Sequence, residues 1–353
     1  MACEPHHCVL ASEWDRPRPS RDYGGGMRRL RVLQSLEAPD GTTRFSTQMR
    51  DGSPDDVEQL FFSWRTALIG RYDVFHVHWP ELLVRAGSAP RRVVKAALLL
   101  TLVVRLSVLR TPVVRTVHNE TPHEPGSRLE RTVLALLDRR VRTYVALNPF
   151  TALPDGVDAV VIPHSHYVGR FPTAEVMPVP GRLISCGLLR PYKGVEDLLA
   201  VVTGMTREPL SVHVVGKPLN AEFADVLQSA AAADPRVDLT LSFVADELLA
   251  QEMGASELVV LPYHRMHNSG MLILALSLGR PVLVPRNEVT EWIADEVGPG
   301  WVSFFDGEVD AAVLEEALDQ APAVLAGEAP RFSARSWEES GEQYAAVYRS
   351  VAL

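Results

Sequence analysis

Lysine occurs at only three of 353 positions, Lys95, Lys193 and Lys217, while arginine does the ordinary surface work. Lys193 closes the run Cys186-Gly-Leu-Leu-Arg-Pro-Tyr-Lys, and Lys217 directly follows Gly216, so two lysines lie beside glycines where apolar runs end. A lysine there offers a compact point charge, and with Arg190 nearby the natural partner is a diphosphate. The alternative is a helix-initiating loop carrying solvated cations. The third feature is Glu257–Pro285, which reads as a buried strand, a polar loop from His264 to Gly270, a helix from about Ser269, Gly279 as its stop, and a second buried strand. Asn268 and Ser269 are good N-cap residues, Gly270 permits close approach, and the unpaired N–H groups of such a terminus attract phosphate. Taken alone, this stretch also fits a capped helix in any α/β protein.

Histidines form a second set. His78 in HVHWPE, His118 and Glu120 in TVHNE, Asn148, and His164 with His166 in IPHSHY all follow apolar runs. A single histidine at a strand end is more often structural than catalytic, but several on one sheet suggest a site. Neither HxH pair comes with a helical HxxxH or a carboxylate at ligand spacing, so no metal site is expected.

The elements that must position these residues are short apolar strands alternating with longer helical patterns, the signature of parallel βαβ units. In the first half the strands are expected at Leu30–Leu33, Val74–Val77, Val113–Val117, Thr143–Ala146 and Val160–Ile162. In the second they are expected at Leu183–Ser185, Val212–Val215, Leu239–Ser242, Leu258–Leu261, Val282–Val284 and Trp301–Phe304. The proline-rich stretch Phe171–Pro180 reads as an interdomain linker, and Trp337–Val351 as a final amphipathic helix. Two doubly wound α/β domains with a cleft between them are the economical arrangement. Their expected limits are 27–175 and 176–335, with a closing helix over 336–353. Residues 1–26 lack an apolar core and are expected to be disordered, and Met27 is a candidate for the true start of the protein, because a strand is expected just after it.

Composition narrows the partners. Residues 1–175 carry 23 Lys/Arg against 19 Asp/Glu, and residues 176–353 carry 12 against 25, so the basic excess is confined to the first half. Neither half is basic enough for nucleic acid. Three cysteines without a CxxC support neither a zinc site nor a disulfide framework and fit a cytoplasmic setting. The longest apolar stretch, Val93–Leu109, is interrupted by Lys95 and Arg105. It reads as a helix buried against the sheet, with a cationic-flanked membrane-surface helix as the alternative.

Several stretches together resemble the nucleotide-sugar glycosyltransferases of the GT-B fold, near family 4, over roughly residues 28–350. SCGLLRPYKGVEDLL is similar to that family's G-R-L-x-x-x-K-G loop, and VHVVGKP to its strand–glycine turn. LSFVADELLAQEMGASELVVLPY and ALSLGRPVLVP resemble its nucleotide-binding strand and its EAMAxGxPV helix, and FSARSWEESGEQYAAVYRSV resembles its closing helix. The resemblance implies two Rossmann-like domains facing a central cleft. It implies donor-site roles for Gly187, Arg190, Lys193, Gly216, Lys217, Phe243, Val244, Asn268, Ser269 and Gly270, and a place near the transferred sugar for His118. Two departures stand out: Leu188 replaces the loop arginine, and the E-x7-E pair is replaced by Met266 and Leu274. HNSG with TVHNE and IPHSHY is similar to a bacterial subgroup that includes exopolysaccharide mannosyltransferases.

The expected activity is metal-independent hexosyl transfer from a nucleoside diphosphate sugar, first of all mannose from GDP-mannose, to a hydroxyl of a glycan, glycolipid or small molecule. No cofactor is expected beyond the donor itself. If the reaction inverts, His118, Glu120 and His78 are the candidate bases; retention is the open alternative. The first domain could touch a membrane peripherally, at its inner face. A sugar-nucleotide epimerase and a non-catalytic partner of another transferase are competing readings. An ordinary dehydrogenase is disfavoured because no GxGxxG follows a strand.

Overall fold

A computed structural model describes residues 9–10, 28–39, 44–119, 126–172 and 176–352. The chain forms two compact units, residues 1–165 with 334–353, and residues 166–333. The division falls ahead of the proline-rich segment, between Ser165 and His166.

In the first unit the strands are β1 (Val9–Leu10), β2 (Leu30–Gln34), β3 (Val57–Leu60), β4 (Val74–Val77), β5 (Val113–Val117), β6 (Val141–Ala146) and β7 (Asp158–Val161). Between them lie α1 (Arg44–Asp51), α2 (Trp64–Ile69), α3 (Ala89–Val108) and α4 (Arg128–Asp138). The sheet order is β1-β7-β6-β5-β4-β2-β3, and every pairing is parallel. Two of these strands depart from expectation. Within the segment expected to be disordered, Val9–Leu10 pairs with Val160–Val161; the rest of residues 1–26 lies outside the described residues. β3 is an edge strand of sequence VEQL, whose single strong apolar residue at each end leaves no readable period.

Because the strands are buried on both faces, their residues alternate between two cores. Val32, Val74, Val114, Val145 and Val160 face α1 and the helix over Trp337–Ala352. Leu33, Phe75, Val77 and Val113 face α2, α3 and α4. The expectation that α3 is simply buried needs correction. Only Ala96, Leu99, Leu102 and Leu106 are buried, whereas Val93, Val94, Val104 and Val108 are more than half exposed. Its outer face is apolar as well as its inner one.

The second unit carries β8 (Arg182–Cys186), α5 (Val195–Gly204), β9 (Ser211–Val215), α6 (Ala221–Ala231), β10 (Val237–Thr240), α7 (Asp246–Gly254), β11 (Leu258–Val260), α8 (Gly270–Ser277), β12 (Val282–Pro285), α9 (Glu288–Val297), β13 (Val302–Phe305) and α10 (Ala311–Leu325). Its order is β10-β9-β8-β11-β12-β13, parallel throughout. Leu183, Val212, Val214, Leu258, Val260 and Leu283 form the core under α5, α6 and α10.

The terminal helix α11 (Trp337–Ala352) belongs to the first unit. Tyr344, Ala345, Val347, Tyr348 and Val351 enter its core, and Arg349 pairs with Asp56 at 2.7 Å. A small residue allows the approach: a Cβ on Gly341 would stand 1.6 Å from the carbonyl oxygen of Gly52. Gly341→Ala should therefore lower stability by about 2 kcal/mol, the scale of overpacking. Gly204→Ala, with open space around the added methyl, should stay within about 0.5 kcal/mol. Urea denaturation of both variants checks this; equal midpoints would contradict the account of how the helix docks.

Candidate active site

In the second unit β8 lies beside β11, and successive connections run outward from that pair in opposite directions. A parallel sheet opens a ligand crevice at the carboxyl ends of such a pair. The residues there leave space by having no side chains. Gly187 turns away from β8 with φ +113°, and Gly216 leaves β9 with φ +157°. A Cβ on Gly216 would lie 1.7 Å from the Gly187 carbonyl oxygen. Leu189 N–H donates to the Lys217 carbonyl at 2.9 Å and locks the two turns together.

Beyond Gly187 the chain makes one 3-10 turn, Pro191–Lys193, then Gly194 at φ +59°. A Cβ on Gly194 would meet the Pro262 carbonyl at 2.2 Å, so the loops after β8 and β11 press backbone to backbone. His264 secures the contact: its N–H reaches the Tyr192 carbonyl at 3.0 Å, and its Nε2 pairs with Asp197 at 2.7 Å.

The Lys193 ammonium sits in this corner, 4.8 Å from the Tyr263 ring centroid and 3.6 Å from where a Gly187 Cβ would be. Burial draws its pKa below the usual value, opposed by Tyr192 and Cys186. Burial pushes the neighbouring Cys186 thiol up to about 12, so it stays protonated and apolar in character. Ser269 caps α8 by accepting from Leu272 N–H at 3.2 Å, and Gly270 opens the helix. Met271, in that first turn, packs 3.1 Å from the Gly187 Cβ position.

The structure thus brings Gly187, Lys193, Gly216 and the Ser269–Gly270 terminus to one corner. Asn268 is half-buried just before the cap. Arg190 is half-buried and donates to the Leu189 carbonyl at 2.8 Å, while the Lys217 side chain is exposed. Phe243 is exposed and Val244 half-buried in the loop after β10, two strands from β8.

In the first unit the reversal of strand order falls between β2 and β4, and the residues there are polar and buried. His78 N–H donates to Ser35 Oγ at 2.7 Å, and Ser35 Oγ lies 2.9 Å from the His78 carbonyl, closing the ends of β2 and β4. His78 Nε2 lies 2.8 Å from Gln34 Oε1, and its Nδ1 lies 3.0 Å from His118 Nε2. His118 stacks on Trp79 with centroids 3.8 Å apart and meets Phe45 edge-on. Trp79 has φ +40°, a costly conformation for an aromatic residue and one that occurs where a site demands it. Trp79, Glu81, Arg115, His118 and Asn119 line a cavity of about 40 Å³.

Glu120 lies outside the described residues. Of the other strand-end candidates, His164 borders this cluster, its ring centroid 6.2 Å from that of Phe45, which also meets His78 and His118 edge-on. Asn148 Oδ1 accepts from Phe150 N–H, a local turn, and His164 Nδ1 lies against the Ser165 carbonyl. His166 falls in the second unit, against Phe332. Sequence reasoning missed Gln34, His76, Trp79 and Tyr348. One signal was available: in HVH the period of a strand puts His76 and His78 on one side, and their rings are 4.0 Å apart.

The profile of the family described as "Glycosyl transferases group 1" matches residues 180–322, which span the second unit's site. A protein of Xanthomonas campestris pv. campestris named GDP-mannose:glycolipid 4-beta-D-mannosyltransferase is 45% identical over 323 residues, covering 91% of this chain and 92% of its own. The chain belongs to the GT-B glycosyltransferases. Solved structures with the same fold include Anabaena Alr3699/HepE in complex with UDP and glucose, at TM-score 0.64 and 15% identity over 91% of this chain and all of that one. Sucrose-phosphate synthase from Thermosynechococcus elongatus superposes at TM-score 0.55 with 12% identity, over 92% and 96%.

In this glycosyltransferase the buried histidines are neutral. Burial holds His76, His78 and His118 well below their ordinary 6.5, and their mutual repulsion acts in the same direction. An unfolded chain would take up protons at these rings near pH 6.5, where the folded glycosyltransferase refuses them. Stability therefore rises with pH through that region and falls as pH drops below it. Thermal melts from pH 8 to pH 5 should show a falling Tm below about pH 6.5, and His76→Gln should flatten the fall by about one proton's worth. A melting temperature flat across that range would refute the buried-neutral assignment.

Proposed function

We propose that the protein transfers mannose from GDP-mannose to a hydroxyl of a glycolipid, inverting the sugar carbon. The observation that carries the site chemistry is the Lys193 ammonium held at the β8–β11 switch point beside two bare glycine turns. The choice of mannose and of a lipid acceptor rests on the 45% identity to the Xanthomonas mannosyltransferase. That relative is named for a β-linkage, and GDP-mannose carries its sugar α, so the matching reaction inverts and needs a base.

As the C1–O bond to the diphosphate breaks, its electron pair leaves with GDP. Lys193, Arg190 and the first N–H groups of α8 stabilise the developing charge. Gly187 and Gly216 let the diphosphate come close, and Asn268 and Ser269 border the sugar. Lys217, Phe243 and Val244 flank the nucleotide. We assign no metal to this step. The acceptor hydroxyl forms the new bond to C1 and gives its proton to His118, with His78 behind it; Glu120 is the second candidate base.

Purified protein given radiolabelled GDP-mannose and a lipid-linked glycan should yield a mannosylated lipid whose anomeric NMR coupling is that of a β-mannoside. A rearranged sugar nucleotide formed without acceptor would indicate an epimerase instead. Lys193→Ala should reduce kcat/KM by about 100-fold, the scale for losing one preorganised charge stabiliser. Undiminished turnover in that variant would sink the donor-site assignment.

The same reading calls for a lipid surface. No helix among the described residues is long and apolar enough to cross a membrane. On α3, Val93, Leu100, Val104 and Val108 form an exposed stripe at helical spacing, with exposed Arg91 and Arg92 at one end and Arg110 at the other. An apolar stripe between cationic ends suits peripheral insertion into an anionic bilayer. We assign this face to the cytoplasmic membrane surface, where nucleotide sugars are available. The protein should co-sediment with vesicles containing phosphatidylglycerol. Val104→Asp with Val108→Asp should abolish sedimentation while GDP binding persists; unchanged sedimentation would overturn the assignment.

A further inference from the structure

Behind His118 the first unit carries an uninterrupted chain of hydrogen bonds, buried from His78 through Gln34, Tyr348 and His76 to Thr116 and half-buried at Gln59 and Ser53. Gln34 Nε2 lies 2.7 Å from Gln59 Oε1 and 3.1 Å from the Tyr348 hydroxyl. Gln59 Nε2 in turn reaches Ser53 Oγ at 2.7 Å. Tyr348 Oη is 2.7 Å from His76 Nδ1, and His76 Nε2 is 2.8 Å from Thr116 Oγ1. Gln34, His76, His78, Thr116 and Tyr348 each expose 1% of their surface or less.

We propose that Gln34 and Tyr348 are positioning residues that set the proton order of the histidine pair, putting Nε2–H on both His78 and His118 and leaving His118 Nδ1 as the basic nitrogen. Both N–H bonds of Gln34 are engaged, by Gln59 and Tyr348, so its carbonyl oxygen faces His78 Nε2 and can only accept. His78 Nε2 must therefore carry the proton. A neutral imidazole has one N–H, so His78 Nδ1 is an acceptor, and the proton shared with His118 belongs to His118 Nε2. His118 Nδ1 then holds the lone pair. The other branch has the same polarity: Tyr348 accepts from Gln34, donates its O–H to His76 Nδ1, and His76 Nε2–H donates to Thr116.

The inference rests on the reading of His118 as the base. Under it, the acceptor O–H proton passes to Nδ1 as the hydroxyl oxygen bonds C1, and the bond from C1 to the diphosphate oxygen breaks with its electrons leaving on GDP. His118 Nε2–H can then shift to His78 Nδ1, moving the positive charge towards the Gln34 carbonyl and restoring a neutral His118. Reversing both glutamine amides would reverse every proton in the chain and leave His118 with Nδ1–H, unable to act as a base there.

Long-range ¹H–¹⁵N correlation of the ¹⁵N-histidine-labelled full chain at neutral pH reads the tautomers directly. His78→Gln and His118→Gln assign the two signals. The expected result is the neutral Nε2–H form for both rings; a Nδ1–H or doubly protonated His118 overturns the proposal. Tyr348→Phe removes one hydroxyl and should give a mixture of tautomers and a lower kcat with unchanged KM for GDP-mannose. A single unchanged tautomer in that variant would remove Tyr348 from the role. Full turnover in His118→Gln would defeat the base reading alone, since the tautomers are read without reference to activity.

Discussion

A histidine with no exposed surface, at the centre of a parallel sheet, must find a partner for each ring nitrogen, because an unsatisfied buried polar group costs about 1–3 kcal/mol. His76 meets that demand with Thr116 on the neighbouring strand and Tyr348 from the last helix, 272 residues away in sequence. Much of the first unit follows from this bond. It fixes the rotation of α11, since a slip of one residue would turn Tyr348 by about 100° and withdraw its hydroxyl. It also fixes Gln34, which could not present its carbonyl oxygen to His78 without somewhere to send its two N–H groups. The apolar side of α11 supplies the burial energy, but Tyr348 decides which register collects it.

The two units meet the same topological situation, a reversal of strand order, with opposite materials. In the first unit the reversal is filled with buried side chains whose hydrogen bonds close on each other. In the second it is stripped to backbone, with the carbonyls of Gly187 and Pro262 where glycine side chains would stand and a single lysine folded over a tyrosine ring. Under the proposed assignment each suits one half of glycosyl transfer. A neutral base is best kept in a dry place where it cannot charge prematurely, while a diphosphate must be approached by N–H groups and a cation at short range.

Much of this was legible in the sequence, for reasons that differ by element. Buried parallel strands such as VVRTV and HVV are short, β-branched and bounded by turn residues, so they announce themselves. The lysines did too, because arginine elsewhere makes Lys193 conspicuous. β3 escaped notice since an edge strand reading VEQL has no face to declare. Half of α3 was misjudged because hydropathy says that a residue is apolar and not which side of a helix meets the sheet. The polar chain around His76 was invisible for a deeper reason. Gln34, Thr116 and Tyr348 are unremarkable until tertiary structure joins residues hundreds of positions apart, and the HVH alternation marks only one strand's share of it.

The replaced glutamates can be given a physical account. The positions aligned with the family's carboxylate pair hold Met266 and Leu274, at 8% and 2% exposure, both part of the packed interior. A glutamate at Leu274 would be a buried charge without a partner, which is strongly unfavourable. The loop has instead turned its apolar members inward and left His267, Asn268 and Ser269 half-buried. Under the proposed assignment the donor corner then offers the sugar neutral hydrogen-bonding groups, and its net charge is set by Lys193 and Arg190. No carboxylate at those two positions is left to share a proton or shield an oxocarbenium-like centre. Under the same assignment proton handling falls to the first unit, which carries the hydrogen-bonded chain through His76, His78 and His118.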